Sequence, residues 1–497
     1  KHGELDQARK LAEDALLNIT KIVGGFLVAK DLKPVMEVYE RAYQQSKQLS
    51  DLEMRRESAA VDVDDLEFAA RKKPQKADSG KLAAAREKLQ KIDAQIADCR
   101  SALRKVHAEI DEMRARGELL THYDYSGLEI KNAGTVKAMC LHVSHDCNLR
   151  CRYCFAGQGI YGGKPQTMPF EVAKAAIDFL VAQSGPRWHL ELDFFGGEPL
   201  LNLGVVKQTV AYARGLEKEH DKAFRFTMTT NGVLLDEETT AFLNAEMQNV
   251  VLSLDGRKDI NDAMRPNAGG KGSYDTIVPR YQRFVAQRGD RDYYVRGTFT
   301  RNNLDFSQDV LHMKELGFDQ VSVEPVVTDP DVPYSLREED LPAIFEEYDR
   351  LARTILEMKR RGERFNFFHF MLDLEQGPCA IKRLRGCGCG NEYAAVDPEG
   401  RVFPCHQFVG DEKFKLGDVW SGVTNTALRD EFAACNVYTR PDCASCWAKL
   451  YCAGGCAANA YHATGSVNGI YKYGCELFRK RMECAIMLEA AKALEEA

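Results

Sequence analysis

The sequence predicts an α/β fold built on a parallel, curved sheet. Three observations predict it. From 136 to about 326, short β-rich runs alternate with amphipathic helical stretches, and six such β/α units imply a parallel sheet. Upstream, Leu82, Ala85, Leu89, Ile92, Ile96, Cys99, Leu103, Val106, Ile110 and Met113 keep an unbroken heptad with mostly charged residues between them. Downstream, 376–485 is rich in Cys and Gly, which predicts a loop-like region whose folding depends on metal ligation.

The N-terminal heptad has a counterpart. Val35, Val38, Ala42, Gln45, Leu49, Leu52, Ala59, Val63, Leu66 and Ala70 follow the same 3-4 spacing, with Arg56 interrupting. A polar stretch from Lys72 to Gly80 separates the two runs, so an antiparallel helical hairpin over about 31–116 is expected. Two long helices without supercoiling are the alternative. Cys99 lies on the seam and reads as a small core residue. The expected strands are 136–143, 190–195, 224–228, 250–254, 293–299 and 320–326. The expected helices include 169–183, 205–218, 237–245 and 305–316, with a connecting helix over 341–361. The domain reading is 1–130, an N-terminal helical module; 131–340, the barrel; 341–375, a connecting helix and linker; 376–485, the Cys-rich domain; and 486–497, a C-terminal helix.

Composition bounds the function. A net charge of −7 argues against nucleic acid as the main partner. There is no apolar run of about 18 residues, so no membrane span is expected. The 16 cysteines cluster in two places, which fits metal sites in a reducing cytoplasm rather than a disulfide framework.

The chemistry starts at Cys147, Cys151 and Cys154. Parallel sheets place active sites at the carboxyl ends of their strands, and this C-x3-C-x2-C triplet directly follows the first expected strand. Three clustered thiolates are a soft-metal site, and three rather than four leave one iron of a [4Fe–4S] cluster open to a substrate or cosubstrate. Strand two runs into Gly196-Gly197-Glu198-Pro199, where two glycines admit a close neighbour and a carboxylate can accept from an ammonium group. Thr229-Thr230-Asn231-Gly232 ends strand three, either as a functional loop or as a plain Asn-Gly turn. Ser253-Leu254-Asp255-Gly256 ends strand four.

Cys147-Asn148-Leu149-Arg150-Cys151-Arg152-Tyr153-Cys154 resembles the signature of radical S-adenosylmethionine (SAM) enzymes. The resemblance implies a partial (β/α)6 TIM-like radical SAM barrel. In it, the open iron chelates the amino and carboxylate groups of SAM, and reduction yields a 5′-deoxyadenosyl radical. It further implies that Gly197 and Glu198 hold the SAM amino group, that Ser253 lies in a SAM-contacting loop and that Tyr153 lies near adenine. Arg265 would pair with the SAM carboxylate, with Arg296 as a second candidate.

Cys443-x2-Cys446-x5-Cys452-x3-Cys456, then Cys475, resembles the SPASM auxiliary-cluster domain, with Gly400-x4-Cys405 upstream. Carried over, Cys443, Cys446, Cys452 and Cys475 would hold one auxiliary [4Fe–4S] cluster. Cys387, Cys405 and Cys456 would hold the other, with Cys389, Cys379 or a substrate thiolate as the fourth ligand. That makes three [4Fe–4S] clusters in all. A pair of structural zincs is the alternative for these cysteines. Cys140, Cys435 and Cys484 lack ligand spacing and read as core.

Longer stretches, among them Leu141 to Asp146, Tyr294 to Thr300, Phe365 to Met371 and Pro404 to Phe408, resemble maturases of six-cysteine (SCIFF) peptides, the ranthipeptide and sactipeptide thioether synthases. In the N-terminal module only Val106 to Thr121 resembles the last helix of the peptide-recognition element such maturases carry. The expectation is a cytoplasmic enzyme that forms a thioether from a Cys sulfur to a carbon of another residue in a Cys-rich precursor peptide, with flavodoxin or ferredoxin as reductant. Some related maturases place a catalytic aspartate directly after the Gly-x4-Cys cysteine. Here that position is His406, a candidate proton acceptor. Epimerisation, carbon–carbon crosslinking or formylglycine formation are alternative outcomes. A multi-cluster electron-transfer protein is the non-enzymatic one.

Overall fold

A computed structural model describes residues 29–72, 79–116, 134–372 and 383–496. The chain divides into two compact units, residues 1–124 with 373–377, and residues 125–372 with 378–497.

In the first unit, helices Ala29–Lys72 and Ser79–Ala115 run antiparallel. Ion pairs Arg41–Glu109, Arg100–Glu53, Arg56–Asp93 and Arg86–Glu67 set the register along the hairpin. Leu52, Ala59, Ile92, Ile96 and Cys99 form one buried cluster on the seam. The Cys99 thiol donates to the Gln45 carbonyl at 3.2 Å. Arg56, which breaks the heptad, stays at the side of the seam and pairs with Asp93 at 2.5 Å. The expected breaker over 73–78 and the end of the 106–121 resemblance, 117–121, lie outside the described residues.

The second unit is organised by one twelve-stranded sheet. Strands β1 (Ala138–His145), β3 (His189–Gly196), β4 (Ala223–Thr230), β5 (Met247–Ser253), β6 (Asp292–Phe299) and β7 (Gln320–Pro325) pair in parallel in that order. They are the six strands expected, with ends shifted by up to three residues. The short β2 (Gln166–Thr167) pairs with the end of β1, and β8 (Asn366–Phe367) extends the parallel row beyond β7. One face of each strand is apolar and packs on the helices: Met139, Leu141 and Val143; Leu190, Leu192 and Phe194; Phe226 and Met228; Val295 and Phe299; Val321 and Val323. The other face, with Cys140, Asp193, Thr227, Ser253, Arg296 and Glu324, turns inward, as alternation along a strand requires. The α/β partial barrel is therefore the fold of this unit.

Two features differ from the sequence reading. First, the Cys-rich region is not loop-like throughout. It contributes β9 (Tyr393–Val396), β10 (Arg401–Phe403), β11 (Gly417–Asp418) and β12 (Gly422–Val423) to the same sheet. β9 pairs in parallel with β1, from Ala138↔Tyr393 to Leu141↔Val396, and β9 to β12 form an antiparallel meander. These strands are two to four residues long, too short for a period to register. Second, the C-terminal helix spans Lys472–Glu496 instead of beginning at 486. Leu477, Ala485 and Leu488 lie in the main buried core, as do Ile344, Leu351 and Ile355 of helix Leu341–Arg360. That tertiary burial, not a local period, defines the helix. No helix among the described residues is long and apolar enough to cross a membrane.

Candidate active site

The cysteine triplet begins where β1 breaks register. Between His142 and Ser144 the pairing with β3 shifts, and the chain leaves the sheet at His145. The loop is then stitched to the 264–267 segment: Arg150 N–H donates to Pro266 at 2.7 Å, Arg152 N–H to Met264 at 2.9 Å, and Leu149 bridges Asn267. Arg265 is thereby brought beside the triplet, where its charge is felt by Cys151. Its guanidinium donates to Tyr153 Oη at 2.7 Å and lies 3.4 Å from Asp255. Tyr153 Oη donates to both Asp255 oxygens, at 2.7 and 2.8 Å. Asp255 also accepts from Thr298 N–H at 3.0 Å, tying the end of β6 to the triplet. Burial raises both the Tyr153 hydroxyl and the Asp255 carboxyl, so a compensating cation is required, and Arg265 is that cation.

The thiols fit a metal centre. Burial, followed by the Glu198 carboxylate, pushes Cys147 up to about 12, and burial raises Cys151. Such thiols do not ionise alone at neutral pH, whereas metal ligation requires the thiolate and stabilises it. Two donors already point at Cys147 Sγ, Leu149 N–H at 3.4 Å and Asn231 Nδ2 at 3.6 Å. Among the described residues no three His, Cys, Asp or Glu side chains converge on a single-ion position.

The Gly-Gly-Glu-Pro turn does its first service to the protein itself. A Cβ on Gly196 would sit 2.1 Å from Ser144 O, and one on Gly197 2.1 Å from Asp146 O. The close neighbour these glycines admit is the backbone of the triplet loop, held by Gly197 N–H to Ser144 O at 2.8 Å and Glu198 N–H to Asp146 O at 2.9 Å. Glu198 is buried and accepts from Leu200 N–H, Thr230 Oγ1 and Asn231 N–H at 3.1, 2.7 and 2.8 Å. It clamps the β3 turn to the β4 turn. Burial nevertheless lifts it to about 7, leaving an uncompensated site that favours an arriving cation. Ser253 ends β5, and its carbonyl accepts from Tyr281 Oη at 3.1 Å.

Arg296 stands apart from Arg265. It faces the barrel interior from β6, in register with Ser253 on β5 and Ser322 on β7. Its partner there is Glu324, at 3.7 Å. Glu324 also meets Arg481 at 3.4 Å and His369 at 3.5 Å, and Arg481 donates to Tyr348 Oη at 2.9 Å. Burial pushes His369 down to about 3, so it is neutral at pH 7.

The C-terminal cysteines fall into two groups. Burial raises the thiols of Cys443, Cys452 and Cys475, and neighbouring cysteines of the set Cys443, Cys446, Cys452 and Cys475 raise them further. In the other group, Cys389 is within hydrogen-bond reach of both Cys387 and Cys405, and Cys456 feels Cys405 and Cys387. Hydrogen bonding from Cys389 holds Cys387 down at about 6. A small cleft lies beside this group, lined by Arg385, Cys387, Cys389, Asn391 and Cys435 among others. Arg385 Nε and Nη1 and Asn391 Nδ2 are buried without partners. Orphaned donors beside clustered thiols fit an anionic iron–sulfur cluster, whose sulfurs accept hydrogen bonds. Cys379 lies outside the described residues. Cys140 is fully buried on β1, and Cys484 is buried near Asp349.

The second group abuts the barrel interior. His406, next to Cys405, packs its ring 5.2 Å from Phe195 of β3 and 5.5 Å from Phe155. Burial, then Arg296, pushes it down to about 4, and its Nδ1 has no partner. It is a neutral imidazole at pH 7. Sequence reasoning did not single out Asp255, Asn231, Arg385, Asn391, His369 or Arg481. The first two sat inside quoted motifs. His369 lay within the Phe365 to Met371 stretch of resemblance, and Arg385, Asn391 and Arg481 carried no spacing signal.

Residues 141–288 match the model of the radical SAM superfamily. The chain is 28% identical over 191 residues to an uncharacterized protein of Methanocaldococcus jannaschii, a match covering 38% of this chain and 62% of that protein's length. It is 24% identical over 359 residues to a cysteine-type anaerobic sulfatase-maturating enzyme of Clostridium novyi, covering 68% of this chain and 92% of the relative. A solved structure of native anSMEcpe with bound AdoMet and Cp18Cys peptide superposes with a TM-score of 0.58 at 21% identity, covering 72% of this chain and 99% of the other.

Proposed function

Starting from the radical SAM domain this chain carries, we propose that the protein is a radical SAM maturase of a Cys-rich ribosomal peptide and that it installs thioether crosslinks. In this reading, Cys147, Cys151 and Cys154 hold the SAM-binding [4Fe–4S] cluster. Cys443, Cys446, Cys452 and Cys475 hold one auxiliary cluster, and Cys387, Cys389, Cys405 and Cys456 the other. Bound there, the clusters and SAM supply a 5′-deoxyadenosyl radical and a place for the surplus electron. Glu198 takes the SAM ammonium, and Arg265, aligned by Tyr153 and Asp255, takes its carboxylate. Gly197 and Ser253 shape the same pocket. A flavodoxin or ferredoxin supplies the reducing electron.

The observation that carries the reading is the meeting of His406 with Phe195. It puts the Cys405 group at the wall of the lumen into which the triplet opens. A peptide held in that lumen has a carbon near the SAM site and a thiol near iron. The reaction would balance if one hydrogen atom left carbon, one proton left the thiol and a carbon–sulfur bond formed, with a cluster held by Cys387, Cys389, Cys405 and Cys456 supplying the acceptor for the remaining electron. His406 is placed to take the thiol proton, although burial makes it a weak base. A formylglycine outcome is disfavoured because this position carries a neutral imidazole instead of a carboxylate.

The test is anaerobic co-expression with the short Cys-rich peptide encoded nearest the gene. A mass loss of two hydrogens per crosslink, with one fewer alkylatable thiol for each, supports the proposal. An aldehyde product, or loss of hydrogens with every thiol still free, refutes the thioether outcome.

A further inference from the structure

The lumen carries one charged group that neither the cofactor contacts nor the fold consumes. Arg296 projects from β6 into the barrel interior, yet its side chain is 54% exposed, so the interior is open around it. Its guanidinium makes no hydrogen bond with any described residue, and its one ion pair among them is the 3.7 Å contact with Glu324. That carboxylate is already shared with Arg481, which approaches it at 3.4 Å from the C-terminal helix. Two guanidinium groups therefore face one carboxylate, and the surplus positive charge sits on Arg296, the more exposed of the two.

The position is central. The charge of Arg296 is felt by Asp193 on β3, by His406 in the Cys-rich region, and by His369 beside β7. Those groups stand on different walls of the lumen, so the guanidinium lies among them. His369 is neutral at pH 7 and cannot balance it. Asp193 spends one oxygen on Thr227 Oγ1 at 2.8 Å and makes no ion pair with Arg296. Arg265, by contrast, is buried and engaged with Tyr153 and Asp255. The two arginines are thus built for different tasks. A planar fork of five donors with unused hydrogen-bonding capacity is a receptor for a planar anion.

We propose that Arg296 is the anchor for a carboxylate of the substrate, and that it fixes which segment of the peptide lies beneath the SAM site. The inference rests on the peptide-maturase reading above. The anion is an Asp or Glu side chain or a chain-terminal carboxylate. Glu324, held by Arg481, orients the guanidinium from behind and is a positioning residue.

The test uses the cluster-loaded full chain with SAM under anaerobic conditions. The probes are fluorescein-labelled synthetic decapeptides with one Cys and one Asp, the Asp placed one to six residues from the Cys, each with an Asn twin and an amidated C terminus. A second pair carries no Asp and differs only in a free or amidated C terminus. The expected result is a preference of at least about tenfold for the acidic member of one pair, which falls to near unity in Arg296→Gln and is partly kept in Arg296→Lys. Which pair shows the preference identifies the carboxylate as a side chain or a terminus. No preference in any pair overturns the proposal. So does an intact preference in Arg296→Gln accompanied by a tenfold loss of SAM affinity, which would make Arg296 a SAM ligand. Deoxyadenosine formation by the wild-type protein is read separately. Its absence would refute the radical SAM maturase reading, while the peptide preference would still judge Arg296.

Discussion

Replacing Arg481 with Met should leave the Glu324 carboxylate inside the barrel with Arg296, at 3.7 Å, as its remaining cation. Arg481 sits in the C-terminal helix with its side chain 11% exposed and contacts Glu324, His369 and Tyr348 at 3.4, 3.2 and 2.9 Å. Burial alone would raise Glu324, yet its neighbours hold it at about 2 against an ordinary 4.5. Against that burial His369, then Arg481 and Arg296, lower it. A shift of that size corresponds to about 3 kcal/mol, and removing one partner of a buried pair typically costs about 3–5 kcal/mol. Met keeps most of the apolar stem, so the loss is chiefly of charge and hydrogen bonds. Thermal unfolding of the cluster-loaded protein under anaerobic conditions should fall by roughly 5 °C or more. Glu324→Gln in the same background should recover part of that loss, with a coupling of about 1.5 kcal/mol or more. The pH dependence has a definite sign. A carboxyl whose folded pKa is depressed stabilises the fold above its unfolded pKa and loses that contribution as the pH falls through the folded value. In the wild type the contribution is therefore full from pH 5 upward. In Arg481→Met the penalty should be full at pH 8 and shrink toward pH 5, where the carboxyl can accept a proton. A melting change under 2 °C, or strictly additive single and double variants, would refute the reasoning.

The remaining expectations concern the clusters and the hairpin. Cys147→Ala, Cys151→Ala and Cys154→Ala should each abolish deoxyadenosine formation by reduced protein, as measured by chromatography, since each removes a ligand from the cluster with the open iron. Iron and sulfide analysis should find close to three [4Fe–4S] clusters in wild type and two when all three cysteines are replaced. One cluster with zinc in the C-terminal region would overturn the auxiliary assignment. Arg265→Ala should weaken SAM binding by roughly 1.5–3 kcal/mol, read by equilibrium dialysis, through loss of a charge-assisted contact. Ile96→Asp should melt the hairpin locally by burying a carboxylate among Leu52, Ala59 and Ile92, with clusters retained; circular dichroism and iron content read the two effects.

How far the sequence could be read depended on length and period. The six parallel strands were legible as short β-rich runs between amphipathic helical stretches, and the hairpin because its heptad runs over enough residues to register. The triplet and the Gly-Gly-Glu-Pro turn were legible because their residues are contiguous. Arg265 was ranked ahead of Arg296 only through the family resemblance, since each is an isolated arginine with no spacing signal of its own. Only the stitching of 150–152 to 264–266 brings one to the triplet, while the pleat of β6 sends the other into the lumen. The strands of the Cys-rich region escaped because β9 to β12 are formed by pairing partners, not by local preference. Arg481 and His369 escaped for the same reason. Their meaning depends on Glu324, which lies 157 residues from Arg481.

The pairing of β9 with β1 also has a consequence for biogenesis. Ala138 finds its second neighbour only when Tyr393 arrives, roughly 250 residues later in synthesis. Until then one edge of the barrel's first strand is an open template of unpaired amides and carbonyls. The strand is apolar and fully buried in the finished protein, so that edge is an aggregation hazard in a half-made chain. Such late, long-range closure is slow by topology. Barrel fragments ending before β9 should accordingly be poorly soluble, and the Cys-rich region doubles as the cover that ends the exposure of β1.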